Sequence, residues 1–265
     1  MSDATQTLHH VTSADGTSIA YDRFGNGAPV VLVSGGSTDR MANAGLAAVL
    51  AGNFTVFNYD RRGRGPSGDT QPYAVAREVE DIAAVIDSAG GSAHLYGTSS
   101  GAALALEAAA SGVAVDKLAL WEPPYFVDPA ARPPLDTADT YRRFVAEGRR
   151  DAAAEYFMAE VVRMPPEFVA FAKTQPWWAG QEAIAHTLAY DAEVMGDYLI
   201  PTDRAAKVAV PTLILTGGAS FPFFRETAEA LARAIPDART GVLEAQEHNV
   251  DPAVIGAALA EFFAS

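Results

Sequence analysis

A serine flanked by small residues is the first feature of this sequence that can do chemistry. Ser99 lies in Gly97-Thr98-Ser99-Ser100-Gly101, which has the form G-x-S-x-G. An apolar run, Ala93 to Tyr96, precedes it, and an Ala-rich helical pattern follows at once. A sharp strand-to-helix turn needs small residues beside a nucleophile, because the backbone there is strained and tightly packed. The pattern predicts Ser99 as a nucleophile at the positive end of a helix. The alternative is a helix N-cap serine between glycine turns.

A serine hydroxyl is a poor nucleophile and needs a general base. Five histidines are available. His248 follows the last predicted strand and precedes the C-terminal helix, so we expect it at the carboxyl edge of a sheet, where catalytic groups of open α/β sheets gather. The remaining four are His9 and His10 in the first strand-like segment, His94 in the strand before Ser99, and His186 in a helical region. His248 is therefore the predicted base, and its alternative is a solvated loop histidine.

An attacked carbonyl also needs two backbone donors for the oxyanion that forms. The amide of Ser100, the residue after the nucleophile, is the first candidate. The loop Ser34-Gly35-Gly36-Ser37, which follows the apolar run Pro29 to Val33, is the second, because its two glycines let the backbone approach a substrate closely. The alternative for this loop is simply a tight turn.

Alternating strand and helix patterns must position these residues. Short apolar runs at Pro29–Val33, Phe54–Tyr59 and Lys117–Trp121 are separated by helical segments. Such alternation implies parallel pairing with right-handed crossovers, so we predict the α/β class, with a mostly parallel sheet covered by helices. From Tyr125 the strand pattern stops until Val210, and amphipathic helical segments replace it. They are Thr140–Glu147, Ala152–Met164, Pro166–Lys173 and Gln181–Tyr190. We therefore predict a core of residues 1–124 and 203–265, interrupted by an α-helical cap over 125–202.

The composition excludes several functional classes. Of 265 residues, 49% are hydrophobic and 20% charged, which is typical of a globular chain. The net charge is −14, so we expect neither nucleic acid nor an anionic membrane as a partner. The absence of cysteine excludes disulfides, thiolate chemistry and cysteine-ligated metal sites. The N-terminus has neither a basic segment nor an apolar one, so no signal peptide is expected, and a cytoplasmic location is predicted.

Together these motifs resemble the α/β-hydrolase superfamily over essentially the whole chain. Besides the Gly97–Gly101 turn and His248, the segment 60–67, Asp-Arg-Arg-Gly-Arg-Gly-Pro-Ser, is similar to the D-x-R-G-x-G-x-S loop of that superfamily. Ser34-Gly35 replaces its usual His-Gly motif, and the resemblance implies that Gly36 supplies the second oxyanion donor. Ser37, the next residue, is expected to contact substrate. The resemblance implies no metal and no organic cofactor. Asp60 and Arg62 are expected to be structural.

The acid that should orient His248 departs from the common superfamily pattern. That acid usually follows the strand corresponding to Val210–Thr216, but here Gly-Gly-Ala-Ser follows, and the next carboxylate is Glu226 in a helix. Glu122 instead stands directly after the Lys117–Trp121 strand. Haloalkane dehalogenases and zearalenone lactone hydrolases take their acid from that strand end. Dehalogenation needs a carboxylate nucleophile and does not fit a serine, so Glu122 is predicted to complete a serine triad.

The chain also resembles zearalenone lactone hydrolases in its Ser-Ser-Gly turn, in Glu122 before Pro123-Pro124, and in Pro176-Trp177-Trp178. A tryptophan at the position of Trp178 contacts substrate in that group, so Trp177 and Trp178 are predicted to bind substrate. Their alternative is packing within the cap. Phe126, Phe157, Met158 and Tyr190 can line the same pocket or form the core of the cap.

The function predicted from these residues is a serine hydrolase that cleaves an ester or lactone of a small apolar substrate through an acyl-enzyme. A carbon–carbon bond hydrolase and a thioesterase are alternatives, because the same triad serves both. A non-hydrolytic receptor, or an isomerase or cyclase, on the same fold is an alternative from another class. The expected partner is a small apolar molecule, and the formation of a homodimer is a further hypothesis.

Overall fold

The computed structural model of the protein describes residues 8–265. The N-terminal residues where no signal peptide is expected lie outside this range. The strands are β1 (Leu8–Thr12), β2 (Ser18–Phe24), β3 (Ala28–Val33), β4 (Phe54–Tyr59), β5 (Ala93–Thr98), β6 (Val115–Trp121), β7 (Thr212–Gly217) and β8 (Ala238–Leu243). The helices are α1 (Ala44–Leu50), α2 (Val75–Ser88), α3 (Ser100–Ala110), α4 (Thr137–Ala146), α5 (Arg150–Tyr156), α6 (Pro166–Ala172), α7 (Trp178–Ile184), α8 (Leu188–Met195), α9 (Thr202–Ala205), α10 (Pro222–Ala234) and α11 (Pro252–Ala264). No helix in the described range is both long enough and apolar enough to cross a membrane.

One eight-stranded sheet in the order β1-β2-β4-β3-β5-β6-β7-β8 organises the chain. The first two strands are antiparallel, and the strands from β3 onward pair in parallel. The predicted mostly parallel sheet is confirmed. The strand order reverses direction at β3, whose neighbours are β4 and β5. The loops that leave β3 and β5 therefore meet at the switch point of the sheet, where ligands of α/β proteins bind.

Hydrophobic cores cover both faces of this sheet. Strand β3 is apolar throughout because its successive side chains enter opposite cores. Val31 and Val33 pack into the core that contains Leu104 of α3, whereas Val30 and Leu32 pack into the core that contains residues of α1 and α11. All four β3 side chains are fully buried. This burial on both faces holds the carboxyl end of β3 rigidly beneath the loop that follows it.

Residues 129–205, here called the helical insertion, lie between β6 and β7 and contain α4 to α9. Helices are present in all four segments where the sequence predicts them, but two predictions of their extent are wrong. The segment predicted as one helix over 152–164 begins earlier, and α5 continues as a π-helix over Phe157–Val161. The segment predicted as one helix over 181–190 is broken by a 3₁₀ turn at Ala185–Thr187, where the Thr187 hydroxyl donates to the Ile184 carbonyl. The division into core and cap domains stays a prediction.

Candidate active site

Ser99 occupies a strained turn between β5 and α3. Its φ is +55° and its ψ is −127°, a conformation that costs a non-glycine residue about 1–3 kcal/mol. The glycines on either side permit it. A Cβ on Gly97 would lie 2.3 Å from the Gly101 carbonyl oxygen, and one on Gly101 would lie 2.4 Å from the Ser34 carbonyl oxygen. The turn thus packs as tightly as the G-x-S-x-G pattern predicts, and it places Ser99 at the N-terminus of α3.

His248 and Glu122 form a close pair. The Nδ1 atom of His248 lies 2.6 Å from Oε2 of Glu122, although the two residues are 126 positions apart. Because Glu122 is acceptor-only when ionised, Nδ1 must carry the proton that the two groups share. The other ring nitrogen, Nε2, is then left with a free lone pair. This is the tautomer that a general base acting on a serine requires.

The Glu122 carboxylate is completely buried, and each of its oxygens accepts a further hydrogen bond. Oε1 accepts from the Gly217 amide at 2.8 Å, and Oε2 accepts from the Ser220 hydroxyl at 2.9 Å. Both donors lie at the end of β7, where the sequence has no acid. Ser220 was not predicted from sequence; its only signal was its place in the Gly-Gly-Ala-Ser segment. With the His248 ring, three donors therefore satisfy the buried carboxylate.

Two aromatic residues hold the His248 ring and its loop. The ring of Phe224 on α10 stacks on the imidazole with centroids 5.0 Å apart and planes 4° apart. The indole Nε1 of Trp121, the residue before Glu122, donates to the His248 carbonyl at 2.9 Å. The end of β6 therefore holds both the backbone and the side chain of His248. Neither aromatic contact was predicted from sequence, because each joins segments that are distant along the chain.

Ser99 and His248 open into one cavity of about 280 Å³ at the carboxyl edge of the sheet. Gly36 and Ser100, the two predicted oxyanion donors, line it as well. The remaining lining residues are mostly apolar and aromatic: Pro124, Phe126, Pro133, Tyr141, Phe157, Val161, Val162, Arg163, Leu188, Asp191, Ala192, Met195, Tyr198, Phe221, Phe223 and Phe224. The structure thus brings together five of the predicted residues, since Glu122 lies directly behind His248.

Asp191 on α8 is a cavity residue that was not predicted from sequence. Its Oδ1 accepts from the Ser100 hydroxyl at 2.8 Å and from Arg61 at 2.7 Å, and its Oδ2 accepts from Arg64 at 2.7 Å. Burial opposes ionisation of Asp191, but the charges of Arg64 and Arg61 outweigh it and lower the pKa of this carboxyl below its ordinary value. Asp191 therefore contributes a neutralised, fully hydrogen-bonded carboxylate to the cavity wall.

Ser37, Trp177 and Trp178, which are predicted to bind substrate, are not among the residues that line this cavity. The Ser37 hydroxyl donates to the Gln181 side-chain carbonyl instead. Trp178 is 7% exposed and packs with Ala154 and Ala172 inside the helical insertion. Trp177 is 45% exposed on the surface. Phe157, the first residue of the π-helix that follows α5, lines the cavity, whereas Met158 packs against the cluster that contains Trp178.

We expect Trp178→Ala to lower the free energy of unfolding by about 3 kcal/mol, the cost of truncating a buried aromatic side chain. The same substitution at half-exposed Trp177 should cost about 1 kcal/mol. Thermal or urea denaturation measures both values. Relative rates on a series of esters should be unchanged in the folded Trp178→Ala enzyme. A changed ester preference with normal stability would instead support the predicted contact between Trp178 and substrate.

The other candidates for acid and base lie elsewhere. Asp60 is buried and accepts from both the backbone and the side chain of Arg40; its burial raises the pKa of its carboxyl. Glu247 is exposed. His94 stacks on Phe263 with centroids 4.7 Å apart. His186 lies 3.6 Å from Asp69 and is not among the residues that line the cavity.

The comparisons with known proteins cover most of the chain. The model of the alpha/beta hydrolase family matches residues 30–260. A solved alpha/beta hydrolase from Sphaerobacter thermophilus DSM 20745 is 53% identical, with a TM-score of 0.91 over 96% of this chain and 100% of that one. A thermophilic esterase from Thermogutta terrifontis is 25% identical, with a TM-score of 0.73 over 97% of this chain and 98% of that one. The enol-lactonase from Burkholderia xenovorans LB400 is 23% identical, with a TM-score of 0.69 over 97% of this chain and 100% of that one, and shares the fold. No curated protein matches the sequence.

Proposed function

Because the chain belongs to the alpha/beta hydrolase family, we propose that it is a serine hydrolase that cleaves a small apolar ester or lactone through an acyl-enzyme. One observation carries the proposal. His248 and Glu122 pair at 2.6 Å, and His248 shares a cavity with Ser99 on its strained turn. A hydrogen-bonded imidazole and carboxylate beside a serine at a helix N-terminus are the parts that acyl transfer needs.

In the first half of the proposed reaction, the Ser99 oxygen attacks the carbonyl carbon of the substrate. Its proton passes to Nε2 of His248, and Glu122 stabilises the imidazolium that forms. The carbonyl electron pair moves onto oxygen, where the amides of Gly36 and Ser100 donate hydrogen bonds. The oxyanion then collapses, the carbon–oxygen bond to the alcohol breaks, and His248 returns its proton to the leaving oxygen.

In the second half, water repeats these steps on the acyl-enzyme. His248 takes a proton from water as the water oxygen attacks the ester carbon of acylated Ser99. Collapse of the second oxyanion breaks the bond to Ser99, whose oxygen regains the proton from His248. The products are a carboxylic acid and the free enzyme; from a lactone, the acid and alcohol remain in one molecule. The net charge and the oxidation states are the same before and after the cycle, so the ester and one water molecule are the only reactants required.

The cavity wall supports an apolar substrate. Aromatic side chains, Phe126 and Phe223 among them, line a space of about 280 Å³, near the lower end of the range of small-molecule pockets. Arg61 and Arg64 already neutralise Asp191, so its carboxylate would neither attract nor repel a charged substrate strongly. The placement of Glu122 after β6 supports the resemblance to zearalenone lactone hydrolases, but their macrolactone is not part of this proposal.

The esterase of Thermogutta terrifontis, one of the similar solved structures, supports ester hydrolysis as the reaction class. The proposal is tested by labelling the purified protein with a fluorophosphonate probe and by following its turnover of p-nitrophenyl esters of increasing acyl length. We expect labelling at Ser99 and many turnovers per enzyme. Labelling accompanied by a single turnover would favour a ligand-binding protein on the same fold. Failure to label would contradict a serine nucleophile.

A further inference from the structure

A buried arginine holds the loop that carries one of the two proposed oxyanion donors. Arg64 lies in the glycine-rich segment after β4 and is 1% exposed. Its Nη1 donates to the Gly35 carbonyl at 2.6 Å and to the Thr38 carbonyl at 3.1 Å. Its Nη2 donates to Asp191 at 2.7 Å, and its Nε donates to the Thr187 hydroxyl at 3.2 Å. All three nitrogens of the guanidinium are therefore used, two of them on the helical insertion.

The bond to Gly35 bears directly on Gly36, because the Gly35 carbonyl and the Gly36 amide belong to one planar peptide unit. In a trans peptide the C=O and the following N–H point in opposite directions. A link between two glycines has no side chain to restrict its rotation, so this plane can turn easily. An arginine that holds the carbonyl on one side therefore sets the direction of the amide on the other. Its positive charge also polarises the peptide and strengthens the amide as a donor.

Asp191 connects the same arginine to the second proposed donor. Its Oδ2 binds Arg64, and its Oδ1 accepts from the hydroxyl of Ser100, whose amide is that donor. A Cβ built on Gly36 would lie 3.3 Å from Asp191 Oδ2 and 3.4 Å from the Ser100 hydroxyl oxygen. The carboxylate thus lies beside Gly36, whose amide is proposed to bind the oxyanion. Such a charge would repel an oxyanion unless it were neutralised, and Arg61 and Arg64 neutralise it.

From these contacts we infer that Arg64 is a positioning residue that orients the Gly36 amide for the oxyanion and holds it in register with Ser100 through Asp191. The inference rests on the proposed serine hydrolase function. Arg64 follows β4, and none of its described hydrogen bonds reaches Ser99 or His248, so its proposed effect on the reaction is indirect. It also explains why an insertion helix carries a buried acid.

Arg62 provides a matched control two residues away. It is also fully buried, and it binds Asp81 through two nitrogens at 2.8 Å each and Asp15 at 2.9 Å. Its remaining hydrogen bond is to the Arg77 carbonyl at 3.0 Å, so none of these bonds reaches the Gly35-Gly36 loop. Loss of either arginine leaves a buried carboxylate with one cation fewer, and both substitutions should lower stability. Only loss of Arg64 should change the oxyanion donors.

The experiment compares Arg64→Gln with Arg62→Gln in the full chain. For the folded fraction of each, we measure kcat and KM on a p-nitrophenyl ester and the rate constant of fluorophosphonate labelling. Arg64→Gln should lower kcat and the labelling rate on the order of 10²-fold, as when one oxyanion donor is lost, with little change in KM. Arg62→Gln should keep wild-type values of all three. Equal kcat in the two folded variants would overturn the inference.

The variant Arg64→Lys and an NMR measurement on the Gly36 amide test the same role of Arg64 independently. Arg64→Lys keeps a positive charge for Asp191 but cannot span Gly35 and Thr187 together, so it should also lower kcat; it decides the question if Arg64→Gln does not fold. The amide resonance of Gly36 in ¹⁵N-labelled protein should shift in either Arg64 variant and not in Arg62→Gln. That measurement needs no activity. A wild-type protein that does not label would contradict the proposed function, whereas an unmoved Gly36 resonance would contradict only the role of Arg64.

Discussion

We expect Ser99→Ala to abolish fluorophosphonate labelling and to lower the turnover of p-nitrophenyl esters on the order of 10⁶-fold, the loss typical when a triad nucleophile is removed. Without the hydroxyl, neither His248 nor the oxyanion donors have an attacking atom to assist. The fold should remain, because alanine has a Cβ like serine and no side-chain hydrogen bond caps α3 from position 99. Mass spectrometry of the labelled protein and steady-state kinetics measure the two losses.

Ser100→Ala is the matched control for this substitution. The Ser100 hydroxyl donates to Asp191 rather than to the proposed reacting centre, and alanine keeps the backbone amide that is proposed to bind the oxyanion. Labelling should therefore still reach most of the protein, with the probe on Ser99. The reverse pattern, with labelling lost in Ser100→Ala and retained in Ser99→Ala, would overturn the assignment of the nucleophile.

We expect Glu122→Gln to keep the fold and to lower turnover by a factor that reaches about 10⁴, as when a triad acid is made neutral. The glutamine carbonyl can still accept from the Gly217 amide, and its NH2 group can donate to the Ser220 hydroxyl oxygen, so the buried polar groups at the end of β7 keep partners. It cannot stabilise an imidazolium by charge, and its amide group no longer selects the tautomer with the proton on Nδ1. Steady-state kinetics on the same esters, with circular dichroism as a check of folding, measure this effect.

Glu247→Gln and Asp60→Asn are the controls for Glu122. Glu247 adjoins His248 in sequence but is exposed, so its substitution should leave turnover near the wild-type value. Asp60 is bound to Arg40, so Asp60→Asn should lower stability more than turnover. Near-normal turnover in Glu122→Gln, together with a collapse in either control, would contradict the proposed triad.

The local sequence pattern predicted those structural features that depend mainly on residues close together in the chain. The β3 run is apolar at every position because both faces of the strand are buried, and that pattern alone predicts a strand inside a helix-covered sheet. The turn at Ser99 was predictable because close packing excludes any side chain at Gly97 and Gly101. Glu122 and His248 were predicted as partners from their places after strands, whose carboxyl ends meet at one edge of a parallel sheet, and from the resemblance to hydrolases that take their acid from the strand before Glu122; the structure places the two side chains 2.6 Å apart.

Only the tertiary structure decided which residues of the helical insertion reach the cavity. The resemblance to zearalenone lactone hydrolases predicted Trp178 as a substrate contact, whereas the packed structure surrounds it with Ala154 and Ala172 and brings Asp191 to the cavity. Helical periodicity determines which residues share a face, but the rotation of a helix about its axis depends on what it packs against. Asp191 and Arg64 are 127 positions apart, and neither has a local signal that indicates a buried ion pair. Their pairing exists because folding removes both charges from water together, so each can be buried only where the other is present.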